Sequence, residues 1–183
     1  MIDRATVLAT LGIGLAIWLL LSTLTELAGR IKLFQAPLGE SWRSFLRQPR
    51  SSWGMTLAHG GLAIAVAGMT ASSAWTVESI QTMRPGETVT VSGYDFTLRH
   101  VQEILGPNYQ AQRATFDVNK GTSVKLTMEP EKRVFTVSRQ QTTEAAIHPT
   151  FLGDLYAVIG DPVEKGGFIT RLYFNPLVPW MWA

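Results

Sequence analysis

Two uncharged apolar runs constrain this chain more than any other feature. Residues 5–25 (ATVLATLGIGLAIWLLLSTLT) carry no charge, and residues 51–77 (SSWGMTLAHGGLAIAVAGMTASSAWTV) carry none unless His59 is protonated. Each exceeds the roughly 20 helical residues that cross a hydrocarbon core. A signal peptide is the competing reading of the first run, because Arg4 precedes it. The run is longer than the usual signal core of about 7–15 residues, and no small-residue cleavage site opens a mature start. Two complete transmembrane helices are therefore expected, over residues 1–29 and 51–77, joined by a basic loop over 30–50.

That loop sets the expected orientation. Arg30, Lys32, Arg43, Arg47 and Arg50 face a single acid, Glu40, and short loops rich in Lys and Arg stay on the cytoplasmic side. Everything after Val77 then lies on the opposite side, which in a bacterial inner membrane is the periplasm. The net charge of +2 is too small to argue for nucleic acid, since topology accounts for the basic cluster. No cysteine occurs, so disulfides and thiol chemistry are excluded.

From about residue 78 the pattern changes to short segments that alternate apolar or β-branched residues with polar ones. ETVTVSG (87–93), YDFTLRHV (94–101), RATFDV (113–118), SVKLTM (123–128) and RVFTVS (133–138) read as strands. Pro85-Gly86, Gly106-Pro107-Asn108, Asn119-Lys120-Gly121, Pro130-Glu131 and Gly166-Gly167 supply turn chemistry between them. The expected outcome is an extracytoplasmic all-β domain over 78–175, a small antiparallel sandwich or barrel. FLGDLYAVIGD (151–161) is compatible with a strand or a short helix. In RLYFNPLVPWMWA the prolines Pro176 and Pro179 and the tryptophans Trp180 and Trp182 have the character of a membrane–water interface. A third membrane segment is expected to begin at 176–183, so the chain reads as part of a longer protein.

His59 is the one ionisable side chain in the second span. A polar ring at that depth needs a partner. Packing with a hydrogen bond, ligation of a metal or haem iron, and proton transfer are all open readings. Gly60, Gly61, Ala63, Ala65, Ala67, Gly68 and Ala71 leave room for close approach, with Gly61/Ala65 and Ala67/Ala71 on one face. Trp53 and Met55 are candidates for lining a pocket there, although lipid or helix packing explains both. His100, in a predicted strand, and His148, at a predicted turn before Pro149, have no second ligand at metal spacing. Met128 ends an alternating strand and reads as core. Residues 129–133 (EPEKR) read as a hairpin tip of alternating sign. No catalytic triad, nucleotide loop or paired-carboxylate site can be assembled.

WGMTLAHGGLAIAVAG (53–68), GPNYQAQRATFDV (106–118), EPEKRVF (129–135), TTEAAI (142–147), DLYAVIGD (154–161) and RLYFNPLVPWMW (171–182) together resemble, in order and spacing, the C-terminal part of the CcmF/NrfE family of cytochrome c-type biogenesis proteins. The resemblance implies a place in the haem lyase complex, which joins haem vinyl groups to the CxxCH thiols of apocytochrome c. It implies a transmembrane haem b between two histidines, with His59 as one axial ligand, and Trp53 and Met55 as possible neighbours. Its implied partners are the N-terminal part of the same protein, CcmH/CcmI-type subunits, the haem chaperone CcmE and apocytochrome c. The family's tryptophan-rich WWD segment, its two extracytoplasmic haem-ligating histidines and its other transmembrane histidine have no counterpart here. Catalysis by this segment alone is therefore not expected. The alternatives are a non-catalytic membrane scaffold whose β domain docks partners, or a fragment of a haem or solute transporter.

Overall fold

The computed structural model describes residues 3–121, 124–163 and 166–182. The first two residues and Ala183, at the ends of the predicted membrane segments, and Ser123 of the predicted 123–128 strand lie outside them. The chain divides into two compact units, one of residues 1–74 with 177–183 and one of residues 75–176.

The first unit is helical. Helix α1 (Arg4–Arg30) and helix α3 (Arg50–Trp75) are both long and apolar enough to cross a membrane. Their large side chains point outward: Leu8, Leu11, Ile17, Trp18, Leu57 and Leu62 are each more than half exposed. What these helices bury is small. Ala9, Ala16 and Thr23, seven residues apart, are covered on α1, and Ala63, Gly68 and Ala71 on α3. A Cβ built on Gly12 would lie 2.8 Å from Thr70 Cγ2, so the bare backbone at Gly12 is what allows α1 and α3 to meet there. A short helix α2 (Leu38–Leu46) sits between them in sequence, and Phe45 packs edge-on against Trp53 of α3 at 4.7 Å. At the other end Val178–Met181 forms a single 3-10 turn packed on Gly68, where an added Cβ would meet Leu177 O at 3.0 Å.

Among the described residues the second unit contains ten antiparallel strands: β1 (Val77–Met83), β2 (Thr88–Val91), β3 (Tyr94–Leu105), β4 (Tyr109–Lys120), β5 (Val124–Met128), β6 (Glu131–Phe135), β7 (Gln141–Glu144), β8 (Ala146–Pro149), β9 (Gly153–Val163) and β10 (Gly167–Pro176). One sheet has the order β1-β10-β9-β8. The other runs β2-β3-β4-β6-β7, with β5 also paired to β4. Alternation explains the core. Tyr94, Phe96 and Leu98 of β3, Phe116 and Val118 of β4, and Leu155, Ala157 and Ile159 of β9 all turn to the space between the sheets. Ser92 and Gly93, both with positive φ (51° and 79°), make the tight reversal between β2 and β3.

Of the segment open to two readings at 151–161, residues from Gly153 onward form strand β9, with burial alternating from Leu155 to Gly160. The structure departs from the sequence reading in three further places. The predicted strand 133–138 stops at Phe135, where the chain reverses through Arg139 (φ 56°), whose N–H bonds to Phe135 O at 2.9 Å. Residues 129–133 are not a hairpin tip: β5 and β6 both pair with β4, and the buried Pro130 interrupts what is otherwise one strand, with Ala114 N donating to Pro130 O. His148 lies within β8, opposite Leu155, rather than at a turn. Between β7 and β8 only Ala145 intervenes, and there the chain passes from one sheet to the other.

Candidate functional site

His59 sits on α3, nine residues and so about 13 Å along the axis from the helix start at Arg50. Its side chain is exposed, and its Nδ1 lies 2.8 Å from Met55 O. That carbonyl can only accept, so Nδ1 carries the proton and donates, and the lone pair of the neutral ring is on Nε2, directed away from the helix backbone. The same arrangement fixes tautomer and ring orientation in metal-bound histidines. Gly54, Gly60 and Gly61 have nothing within 4 Å of an added Cβ; at about 100° per residue Gly60 lies next to His59 around the helix, while Gly54 and Gly61 lie on its far side.

Met55 and His59 are one turn apart and share a face. The Met55 sulfur lies 3.9 Å from Arg30 Nη2, and Arg30 also donates to Ser52 O at 3.3 Å while pairing with Glu26. Trp53 is placed differently. Six residues before His59 it faces another direction, and its ring is engaged by Phe45. The geometry thus brings Met55 to His59 and Trp53 to α2. Arg30 was not singled out from sequence, where it counted only as one charge of a basic loop.

His100 and His148 belong to the β unit. His100 is exposed on β3 with Nε2 3.4 Å from Thr115 Oγ1, and His148 is exposed on β8. Among the described residues no group of three or more His, Cys, Asp or Glu converges as a metal site. Met128 is 3% exposed and belongs to the core.

The β unit has polar constellations that its sequence did not advertise. Glu131 is 5% exposed and bound by Arg113, with Nε at 2.6 Å and Nη2 at 2.5 Å, and by Arg133 Nε at 2.7 Å. Burial opposes its ionisation, but hydrogen bonds from Arg133 and Arg113 and their charges prevail and hold the carboxyl below its ordinary value. Arg133 also lies 4.6 Å over the Tyr109 ring and 3.5 Å from Glu144, so the cluster ties β4, β6 and β7 together. Nearby, Lys132 and Thr143 meet Tyr156, Arg171, Tyr173 and Asn175 around a cleft of 620 Å³. Lys132 is ion-paired with Asp161, and Tyr156 and Tyr173 meet edge to face at 5.6 Å. The hydrogen bond from Tyr173 to Glu78, with burial adding to it, pushes that phenol above the usual tyrosine value. Arg171 and Tyr173 occupy alternate positions of β10, on the opposite face from buried Leu172. That alternation in RLYFNP was the signal available for this cleft.

Two antiparallel sheets closed on a common core, in a chain that also holds two helices of membrane-spanning length, define a β-sandwich protein of membrane character. Residues 74–176 match the family described as the CcmF C-terminal beta-sandwich. The chain belongs to the CcmF family. It is 41% identical over 170 residues to the "Cytochrome c-type biogenesis protein ccl1" of Rhodobacter capsulatus, covering 93% of this chain and 25% of that protein. It is 33% identical over 181 residues to the "Cytochrome c-type biogenesis protein CcmF" of Escherichia coli K12, covering 99% of this chain and 26% of that one. The chain therefore spans about a quarter of the length of these relatives. The solved structure of "Cytochrome c Heme Lyase CcmF" superposes with a TM-score of 0.65 at 18% identity, over all of this chain and 32% of that one, a likeness of fold.

Proposed function

We propose that this chain serves cytochrome c maturation as the C-terminal portion of a haem lyase component, with His59 Nε2 as one axial ligand of a haem b within the membrane. The observation that carries the reading is the exposed imidazole whose Nδ1 is committed to Met55 O while Nε2 has no partner among the described residues, with Gly60 leaving the helix bare beside it. An intramembrane polar ring exposed on a helix pair is costly unless something covers it. A flat macrocycle meets that need on the face that carries His59 and Met55.

The donor set fits one side of such a group. His59 supplies one neutral nitrogen, and the other two histidines of the chain lie in the β unit. The second axial ligand would come from another part of the family's polypeptide or from a separate subunit. When bound, a bis-histidine haem supplies one-electron chemistry, at a potential set by its ligands and their surroundings. The Met55 carbonyl would orient the imidazole and raise its basicity, and Met55 itself would help exclude water. In this reading Trp53 contributes indirectly, by holding α3 against α2.

The basic α1–α3 connection supports placing residues 30–50 on the cytoplasmic side of a bacterial inner membrane and the sandwich in the periplasm. There the cleft of Lys132, Arg171 and the two tyrosines would dock a subunit that presents apocytochrome c or the haem chaperone. The chain would act within the assembly and not as an enzyme by itself.

The test uses the whole family protein that contains this segment, purified in detergent as wild type and as His59→Ala. The expected result is complete loss of the reduced b-type absorption bands at unchanged protein level, together with loss of holocytochrome c formation in cells. Unchanged bands in the variant would overturn the ligand assignment.

A further inference from the structure

Helix α2 is amphipathic in the reverse sense to a helix on a water-soluble protein. Its inner face is polar apart from Phe45: Ser41 is 3% exposed, with its hydroxyl donating to Lys32 O at 3.2 Å, and Ser44 donates to Arg30 O at 3.3 Å. Its outer face is apolar. Leu38, Trp42 and Leu46, at i, i+4 and i+8, are 79%, 61% and 65% exposed, and Phe34 just before the helix is 93% exposed. Water would penalise that stripe by the full apolar area it leaves wet. Beside the stripe stand Arg43 and Arg47. Neither forms an ion pair among the described residues, and they border a shallow polar cleft with Glu40, Ser44 and Gln48.

We infer that α2 is an interfacial helix, its Leu38–Trp42–Leu46 stripe immersed at the acyl boundary and Arg43 and Arg47 holding the phosphates of anionic lipid. Three features of the chain favour lipid over a protein partner. The helix is tethered to both long apolar helices, by seven residues to α1 and by only three to α3, so it cannot move far from the plane where they end. Tryptophan beside arginine is the composition of the headgroup region. The surrounding charge, with Lys32, Arg43, Arg47 and Arg50 against Glu40, is complementary to an anionic leaflet. This inference rests on α1 and α3 being membrane spans.

This chain has no cysteine; with any cysteine elsewhere in the whole protein replaced by serine, a spin label on one introduced thiol reports one position. The whole protein is reconstituted in phosphatidylcholine–phosphatidylglycerol vesicles with labels at Leu38→Cys, Leu46→Cys, Glu40→Cys and, in α1, Leu15→Cys. Labels at 38 and 46 are expected to be accessible to oxygen and shielded from a water-soluble nickel chelate, with 40 accessible to nickel. Nickel access at 38 and 46 would overturn the inference, and so would shielding from both reagents, which would mean a protein or a second copy covers the face. The label at 15 separates the two levels: nickel access there would overturn the membrane reading itself. Each basic residue near an anionic surface is worth about a fivefold factor. Arg43→Gln/Arg47→Gln is therefore expected to lower co-purified phosphatidylglycerol about tenfold or more, relative to phosphatidylcholine. Equal retention would overturn the headgroup assignment.

Discussion

The helical unit and the β unit use the same apolar residue types in opposite ways. In the sandwich the large side chains go inside: Phe96, Phe116, Leu98, Leu155, Ile159 and Leu172 are all fully buried. In the helices the large side chains go outside, and alanine, glycine and threonine make the contacts. Each unit would be a poor solution for the other's surroundings. Expelling large apolar groups from water drives the sandwich together. Helices in lipid gain nothing by that, and they associate through close backbone approach at small residues instead. Exposure of an aliphatic side chain thus has a different bearing at Leu15, on a helix of membrane-spanning length, than at Val137, in a turn of the β unit.

Substitutions of matched chemistry sharpen the contrast. The largest stability effect is expected in the sandwich core, where Phe116→Ala should cost about 3–5 kcal/mol because it leaves a cavity where the two sheets meet. Chemical denaturation followed by near-UV circular dichroism would register it, and a loss under about 1 kcal/mol would show that the core is not close-packed there. Ile17, at the middle of α1 and 52% exposed, should tolerate alanine but not charge. Ile17→Asp is expected to raise the free energy of membrane insertion by about 3–4 kcal/mol, measurable with glycosylation reporters of translocation. Ready insertion of that variant would show that α1 is not a lipid-facing span.

Glu131 yields a pH dependence of definite sign. Its folded carboxyl titrates below its unfolded value. Its contribution to stability is therefore complete above the ordinary carboxylate range and lost as pH falls through the lower folded value. Glu131→Gln should reduce the stability of the β unit by about 2–4 kcal/mol at neutral pH, since Arg113 and Arg133 lose a nearly buried partner. It should also flatten the acid side of the stability profile. A variant that kept the wild-type slope would assign that slope to other carboxylates. The smallest effect is expected at Val137, which is 93% exposed in a turn of the β unit. Val137→Asp should change stability by no more than about 0.5 kcal/mol, so an exposed aliphatic residue exchanged for aspartate should be costly at 17 and harmless at 137.

Legibility in the sequence followed the strength of periodicity. The two apolar runs were unmistakable, and the alternating stretches at 94–101 and 113–118 lie within β3 and β4. Strands β1, β7, β8 and β10 were not singled out. β7 and β8 have four residues each, too short to show a period, and β10 carries a charge at Arg171 on its cleft-facing side. The strand reading of 133–138 overran because Thr136, Val137 and Ser138 continue the alternation, but the chain reverses to let β7 pair with β6. His59 stood out as a lone ionisable residue in an apolar run. The bond to the Met55 carbonyl that frees Nε2, and the engagement of Trp53 by Phe45, could not be read from spacing.

The sequence by itself determined what each segment can tolerate around it. Uncharged runs of helical length demand a non-aqueous surrounding, and alternating stretches with turn residues demand a two-sided sheet, because both follow from local backbone geometry and side-chain hydration. Tertiary structure alone decided the pairings between distant residues. Glu131 is buried because Arg113 comes across from β4, Lys132 borders a cleft because β9 and β10 lie beside it, and the serines of α2 face inward because carbonyls at the end of α1 accept their hydroxyls. Such contacts join residues far apart in the chain, and no local pattern encodes which partner a side chain will meet.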